Sequence, residues 1–215
     1  MILRHVRLPV FRANDPRPLS TRLGRLARQT RALGRLPPPV RTFYVRALWT
    51  AWRHQDQYSL DVVARPHDLA ALLRLADGAE VVVELGTATA WTALALALAH
   101  DTRRVTTYDP VRRPQRELYL ELVPSSVRDR IAFVNDVGRS GPRGPVMVDF
   151  VFVDGSHERE DTTRTFSVWR DALAPRGTIV FHDYLDPSYP GVTQAIRELG
   201  LEGRQCGRLF VWTPG

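Results

Sequence analysis

From residue 80 onward the chain alternates short runs of β-branched and aromatic residues with longer stretches whose apolar positions fall three and four apart. The runs predict strands at 80–85, 104–109, 131–135, 148–154 and 177–182, and "RQCGRLFVWT" carries a final strand pattern. The clearest helix follows the fourth strand, where Thr162, Thr165, Phe166, Trp169, Ala172 and Leu173 share one face; "GVTQAIRELG" predicts another after the fifth. Ahead of the first strand, Tyr44, Val45, Leu48, Trp49 and Trp52 form an apolar stripe, and "RPHDLAALLRLA" starts a helix with Pro66 near its first turn. Strands that alternate with helical segments imply an α/β domain, a mostly parallel sheet covered by helices on both faces.

The first 40 residues follow a different pattern. Leu19, Leu23, Leu26, Leu33 and Leu36 recur at roughly helical spacing among arginines, and Pro37 to Pro39 stop the repeat. This predicts a basic amphipathic helix and a stiff linker, with Gly24 and Gly34 weakening it as an independent helix. Residues 1–53 hold twelve arginines and one acid, a net of +11 against +7 for the whole chain, which leaves the other 162 residues at −4. The expected organisation is therefore a basic N-terminal helical arm and linker over 1–53 and a domain over 54–215. Because the positive charge belongs to the arm, the high pI is no argument that the domain binds nucleic acid. Packing on the body, contact with an anionic membrane surface, contact with nucleic acid, and pairing into a homo-oligomer all stay open for the arm.

A content of 44% hydrophobic residues is enough to bury a full core. The longest apolar stretch, Ala90 to Ala99, is about half of the roughly 20 residues a membrane span needs. The start "MILRHVRLPVF" lacks the apolar segment and cleavage site of a signal peptide, and Cys206 has no second cysteine to pair with, so the expected location is cytoplasmic. All 30 basic residues are arginine. A mechanism that needs a catalytic lysine is thereby excluded.

In open α/β sheets, ligands bind beyond the carboxyl ends of the strands, and here those ends are polar in nearly every case. Glu84 ends the first, Asp109 the second, Asn135 and Asp136 the third, Asp154 the fourth, and His182 with Asp183 the fifth. A buried carboxylate is costly unless paired, so a purely packing domain would not place them so consistently. The first turn has only Gly86 where a pyrophosphate site would have G-x-G-x-x-G. Glu84 suits a ligand with a cationic head, and Asp109 lies where an acid accepts hydrogen bonds from ribose hydroxyls. Together they indicate a nucleoside without phosphate.

"VVVELGTATAWTALALALA" resembles motif I of class I S-adenosylmethionine-dependent methyltransferases, and "VDFVFVDGSHEREDTTRTFSVWRDALAPRGTIVFHDY" is similar to the branch containing macrocin-type sugar O-methyltransferases and cephalosporin hydroxylase-like proteins. The likeness extends to the catechol and caffeoyl-CoA O-methyltransferases and covers about residues 55 to 213. It implies a Rossmann-like fold with a mostly parallel seven-stranded sheet and S-adenosylmethionine as cofactor. Glu84, Gly86 and Thr87 would line its methionine and ribose part, Trp91 and Thr92 would lie near its carboxylate, Asp109 would hold the ribose hydroxyls, and Asn135, Asp136 and Val137 would flank the adenine. Asp154 is expected at the cofactor as well as at the acceptor. The sequence departs from the family at Ala90, where a second glycine is usual; a slightly displaced loop with retained binding is expected.

The resemblance also implies the chemistry. Methyl transfer from a sulfonium is an in-line displacement, so the protein mainly aligns the nucleophile and takes its proton. In the metal-dependent relatives, an acid after strand four and a D-N or D-D pair after strand five hold a divalent cation that lowers the hydroxyl pKa. Asp154 matches the first ligand and Asp183 the second, but the third is Tyr184, a poor ligand for a hard cation, with His182 or Asp186 as nearby substitutes. A Mg²⁺-like ion is thus an open expectation. His157 stands where those relatives carry a catalytic lysine, and it is the expected general base. The expected acceptor is a small-molecule hydroxyl, on a sugar or phenol of secondary metabolism. A nucleic-acid methyltransferase is disfavoured because N-P-P-Y and D-P-P-Y are absent, whereas Ala90 and Tyr184 leave open a catalytically silent binding protein of the same fold.

Overall fold

The structure, a computed structural model, describes residues 31–142 and 147–215. Most of the predicted basic helix, with Leu19, Leu23 and Leu26, lies outside the described residues; residues 31–34 are helical. Seven strands form one sheet: β1 (Val81–Leu85), β2 (Arg104–Tyr108), β3 (Ile131–Val134), β4 (Val148–Val153), β5 (Leu173–Phe181), β6 (Arg204–Cys206) and β7 (Leu209–Trp212). Their order is β3-β2-β1-β4-β5-β7-β6; the first five are parallel, and β7 runs antiparallel to both neighbours. The helices are α1 (Pro38–Arg53), α2 (Gln57–Val62), α3 (Pro66–Leu75), α4 (Trp91–Leu98), α5 (Arg116–Leu120), α6 (Ser125–Arg128), α7 (Arg159–Arg170) and α8 (Pro190–Glu198).

Strand period two divides the core into two layers. Val82, Phe150, Phe152 and Val180 face a cluster with Ala47 of α1, Leu69 and Leu72 of α3, and Leu94 of α4. Val83, Val151 and Ile179 face the other way, onto Phe166 and Trp169 of α7 and Val192 and Ile196 of α8. Both faces are covered, which is why the central strands are continuous apolar runs. Among the described residues, no helix is long and apolar enough to cross a membrane.

Four sequence expectations shift. Pro38 and Pro39 form the first turn of α1, where a missing N–H costs nothing, so they initiate a helix where a linker was expected. The buried face of α1 is Val40, Phe43, Tyr44, Ala47 and Ala51, while Val45, Trp49 and Trp52 are 51, 60 and 46% exposed. Large apolar residues suggested the stripe, but the small Ala47 and Ala51 allow close packing against the alanine-rich α4. Leu173 leaves the helix pattern to pair with Val148, and after a register shift β5 resumes at Phe150↔Thr178. The last strand pattern splits into β6 and β7 around a two-residue turn, with Gly207 at φ +63°.

One buried cation joins two helices of the first layer. Arg103, 1% exposed, donates to the carbonyls of Ala79 (2.8 Å), Leu96 (3.1 Å) and Ala76. It thereby ties the carboxyl ends of α3 and α4, where carbonyls lack intrahelical partners.

Candidate active site

Strand order reverses at the centre of the sheet, since the chain goes from β1 to β2 and β3 on one side and returns to β4 and β5 on the other. A cleft of about 730 Å³ opens there, beyond the carboxyl ends of β1 and β4. Its wall includes Gly86, Thr87, Trp91, Thr92, Asp109, Val137, Asp154, His157, His182 and Asp183, so ten of the thirteen residues singled out from the sequence meet in one place.

The loop after β1 is shaped by close contacts. A Cβ on Gly86 would lie 2.1 Å from the Asp154 carbonyl oxygen, and its φ of +111° is open only to glycine. Ala88 and Ala90 also have positive φ, 45° and 70°, so Ala90 keeps the left-handed turn that leads into the N-terminus of α4. Asp109 stabilises this loop: one carboxylate oxygen accepts from Ala88 N (2.8 Å), the other from Val111 N (2.8 Å). Arg116, absent from the sequence expectations, donates to the Ala88 carbonyl (3.2 Å) and lies over the Phe133 ring. Behind the loop, Ser59 Oγ and Tyr119 Oη both donate to Asp56 (2.6 Å each), and the Ser59 and Thr89 hydroxyls lie 2.9 Å apart, joining the N-terminal helices to the cleft wall.

Three expected cofactor residues sit elsewhere. Glu84 is 1% exposed and lies one layer behind the wall, accepting from Thr107 (2.5 Å), whose hydroxyl also meets that of Thr87 (2.6 Å). Burial raises its pKa to about 8, against the opposing effect of the Thr107 hydrogen bond. Asn135 is turned so that its amide donates to the carbonyls of Pro110 (3.0 Å) and Asp109 (3.2 Å), and Asp136 accepts from Gly138 N (3.0 Å). The polar groups of these two residues are used to close the turn after β3, which leaves Val137 as the member of the trio that lines the cleft.

At the opposite wall, carboxylates and cations interleave. His157 Nε2 is 2.9 Å from Asp183 Oδ2 and 3.7 Å from Asp154 Oδ1; His182 Nδ1 is 3.0 Å from Asp154 Oδ1 and 3.2 Å from Asp183 Oδ1. Burial disfavours charge on both imidazoles, but the two carboxylates outweigh it, raising His157 to about 9 and His182 to about 10. Burial likewise opposes ionisation of Asp183, yet hydrogen bonds from His157 and His182 and the charge of Arg208 hold it well below the usual carboxylate range. Asp183 is held with φ +57°, a strained conformation for a residue with a side chain. Tyr189 stacks on His157 with ring centroids 4.0 Å apart, and Tyr58, under the guanidinium of Arg113, faces the same cleft.

Asp154, His182 and Asp183 bring three donor atoms within 4.8 Å of one another, close enough to surround an ion. The donor set nevertheless does not suit a hard divalent cation. Arg208 Nη2 lies 2.5 Å from Asp183 Oδ1 and also contacts Asp186, and Tyr184, at the third ligand position, turns its ring onto Phe210. Arg208 has no spacing signal in the sequence. It reaches the site because antiparallel β7 begins beside the carboxyl end of β5, and its carbonyl accepts from Tyr184 N (3.0 Å).

Residues 80–184 match a family model described as a methyltransferase domain. No curated protein matches the chain by sequence. Among solved structures, the chain is similar to CalS11, a TDP-rhamnose 3'-O-methyltransferase of calicheamicin biosynthesis (18% identity, TM-score 0.55, covering 93% of this chain and 96% of that one). It is also similar to the O-methyltransferase TomG from Streptomyces achromogenes in complex with SAM (18%, 0.59, 78% and 88%) and to an O-methyltransferase from Bacillus cereus in complex with SAH (14%, 0.61, 77% and 89%). At these identities the likeness establishes the fold, that of class I methyltransferases.

Proposed function

We propose, from the match of residues 80–184 to a methyltransferase-domain model, that this protein transfers a methyl group from S-adenosylmethionine to a hydroxyl of a small molecule. The observation that carries the reading is the pairing, across one cleft, of a loop built by Gly86 and Asp109 with a histidine–carboxylate pair on the far wall. Asp109 keeps lone pairs on both oxygens for ribose hydroxyls, and the N-terminus of α4 presents free N–H groups to the cofactor carboxylate. The parts that CalS11 and TomG play in calicheamicin and tomaymycin synthesis support an acceptor of secondary-metabolite type.

His157 is the proposed base; the carboxylates that raise its pKa to about 9 keep most of it protonated at neutral pH, so turnover is expected to rise with pH up to about 9 as the free imidazole becomes populated. Its Nε2 is held by Asp183, so Nδ1 is the nitrogen that takes a proton, and Asp183 orients the ring as a carboxylate orients a catalytic imidazole. As the acceptor oxygen attacks the methyl carbon, the O–CH₃ bond forms, the S–CH₃ bond breaks, the hydroxyl proton passes to Nδ1 and S-adenosylhomocysteine leaves uncharged. Tyr189 and Tyr58 offer ring faces that would hold a planar or sugar acceptor and exclude water.

The test is production of S-adenosylhomocysteine from S-adenosylmethionine across a panel of sugar and phenolic hydroxyl acceptors. Acceptor-dependent turnover is expected, with His157→Gln lowering kcat by about 10²-fold or more while cofactor affinity stays unchanged. Cofactor binding without turnover on any acceptor, or full activity in His157→Gln, would contradict the assignment.

A further inference from the structure

We propose that Arg208 takes the place of the divalent cation in this cleft, so that the protein holds its acceptor wall together with a guanidinium and works without a bound metal ion. The inference deepens the methyltransferase reading and rests on it for what the site does, though not for what occupies it. Asp183 Oδ1 lies 2.5 Å from Arg208 Nη2, and its other oxygen is 2.9 Å from His157, so neither oxygen faces the cleft without a partner. The same Nη2 contacts Asp186, and one guanidinium nitrogen therefore bridges two carboxylates, as an ion would. Arg208 is not a loose surface chain. Its carbonyl is fixed by Tyr184 N (3.0 Å), and with Gly207, whose φ of +63° suits only glycine well, it forms the two-residue β6–β7 turn, so the hairpin places it over the end of β5.

A permanent charge delivered by a hairpin differs from an ion in two ways. It cannot dissociate, and it presents planar N–H donors where an ion presents open coordination positions. A guanidinium there orients Asp183, and through it His157, but offers no position for an acceptor oxygen to bind as a ligand. Arg208 is on this account a positioning residue. Activation of the hydroxyl then falls to His157 and not to a Lewis acid.

The test is Mn²⁺ binding followed by electron paramagnetic resonance, on the full chain with and without S-adenosylhomocysteine, for wild type, Arg208→Ala, Arg208→Gln and the double variant Arg208→Ala with Asp183→Asn. Thermal melting and S-adenosylhomocysteine affinity of each variant report whether the fold and cofactor loop survive. Wild type is expected to leave Mn²⁺ free into the millimolar range. Removing the guanidinium in either single variant should create one site that binds about tenfold or more tightly, lost again in the double variant, because ligand charge sets affinity for hard cations. Stoichiometric Mn²⁺ binding by wild type would overturn the proposal, as would folded Arg208 variants that gain no site. Failure of wild type to bind S-adenosylhomocysteine would instead sink the methyltransferase reading, with the Mn²⁺ result still deciding what Arg208 replaces.

Discussion

Burying a carboxyl group with one hydroxyl for company sets the behaviour of Glu84. Its folded-state pKa of about 8 lies above the ordinary 4.5, so between these values the folded protein holds a proton that the unfolded chain has released. Stability from this residue is greatest below about pH 4.5 and falls as pH rises toward 8, at up to about 1.4 kcal/mol per pH unit. Glu84→Gln, which keeps the shape and a hydrogen bond to Thr107, should flatten this dependence and unfold at higher temperature than wild type at pH 8; parallel melting curves from pH 5 to 8 would contradict it. The neighbouring loop stores strain of a different kind. Ala88 is half-buried with φ 45°, and Ala88→Gly is expected to raise stability by about 1 kcal/mol, read from the denaturant midpoint. At the fully buried Ala90 the lost methyl burial, about 0.8 kcal/mol, offsets most of the same relief, so Ala90→Gly should be close to neutral.

The elements are joined at their ends by polar side chains rather than by apolar packing alone. Arg103 satisfies carbonyls at the carboxyl ends of α3 and α4, and its hydrogen bonds are the reason a charge can be buried there. Arg103→Met keeps the volume but strands three carbonyls, and should destabilise by about 3 kcal/mol or more in a denaturant titration. A loss below about 1 kcal/mol would mean that water replaces the guanidinium. The Asp56–Ser59–Thr89 chain plays the matching role between α2 and the cofactor loop, so the helices before the sheet are part of the site's support.

For the whole molecule, much of the architecture was legible because strand period and helix period differ so sharply after residue 80. The five parallel strands, the acids at their ends and the cleft that gathers them follow from that pattern together with the rule that ligands sit beyond the carboxyl ends. What stayed hidden depends on three-dimensional neighbours. Glu84 was expected at the ligand, but period two points it behind Thr87; Asn135 and Asp136 were expected at the adenine, but the turn after β3 uses their polar groups. Arg208 lies 25 residues beyond Asp183 in a chain full of arginine, and only the antiparallel return of β7 brings the two together. Likewise, the outward turn of Trp49 and Trp52 follows from the preference of α4 for alanine neighbours, which hydrophobicity alone does not encode.

The most direct test of the account is calorimetric titration of the intact protein with S-adenosylmethionine and S-adenosylhomocysteine, on wild type and Asp109→Ala. One site of micromolar affinity is expected for both, weakened by about 100-fold or more in Asp109→Ala, since that carboxylate shapes the loop and is proposed to meet the ribose. No heat of binding from either nucleoside with folded wild-type protein would contradict it, and would mean that a methyltransferase fold here serves another ligand.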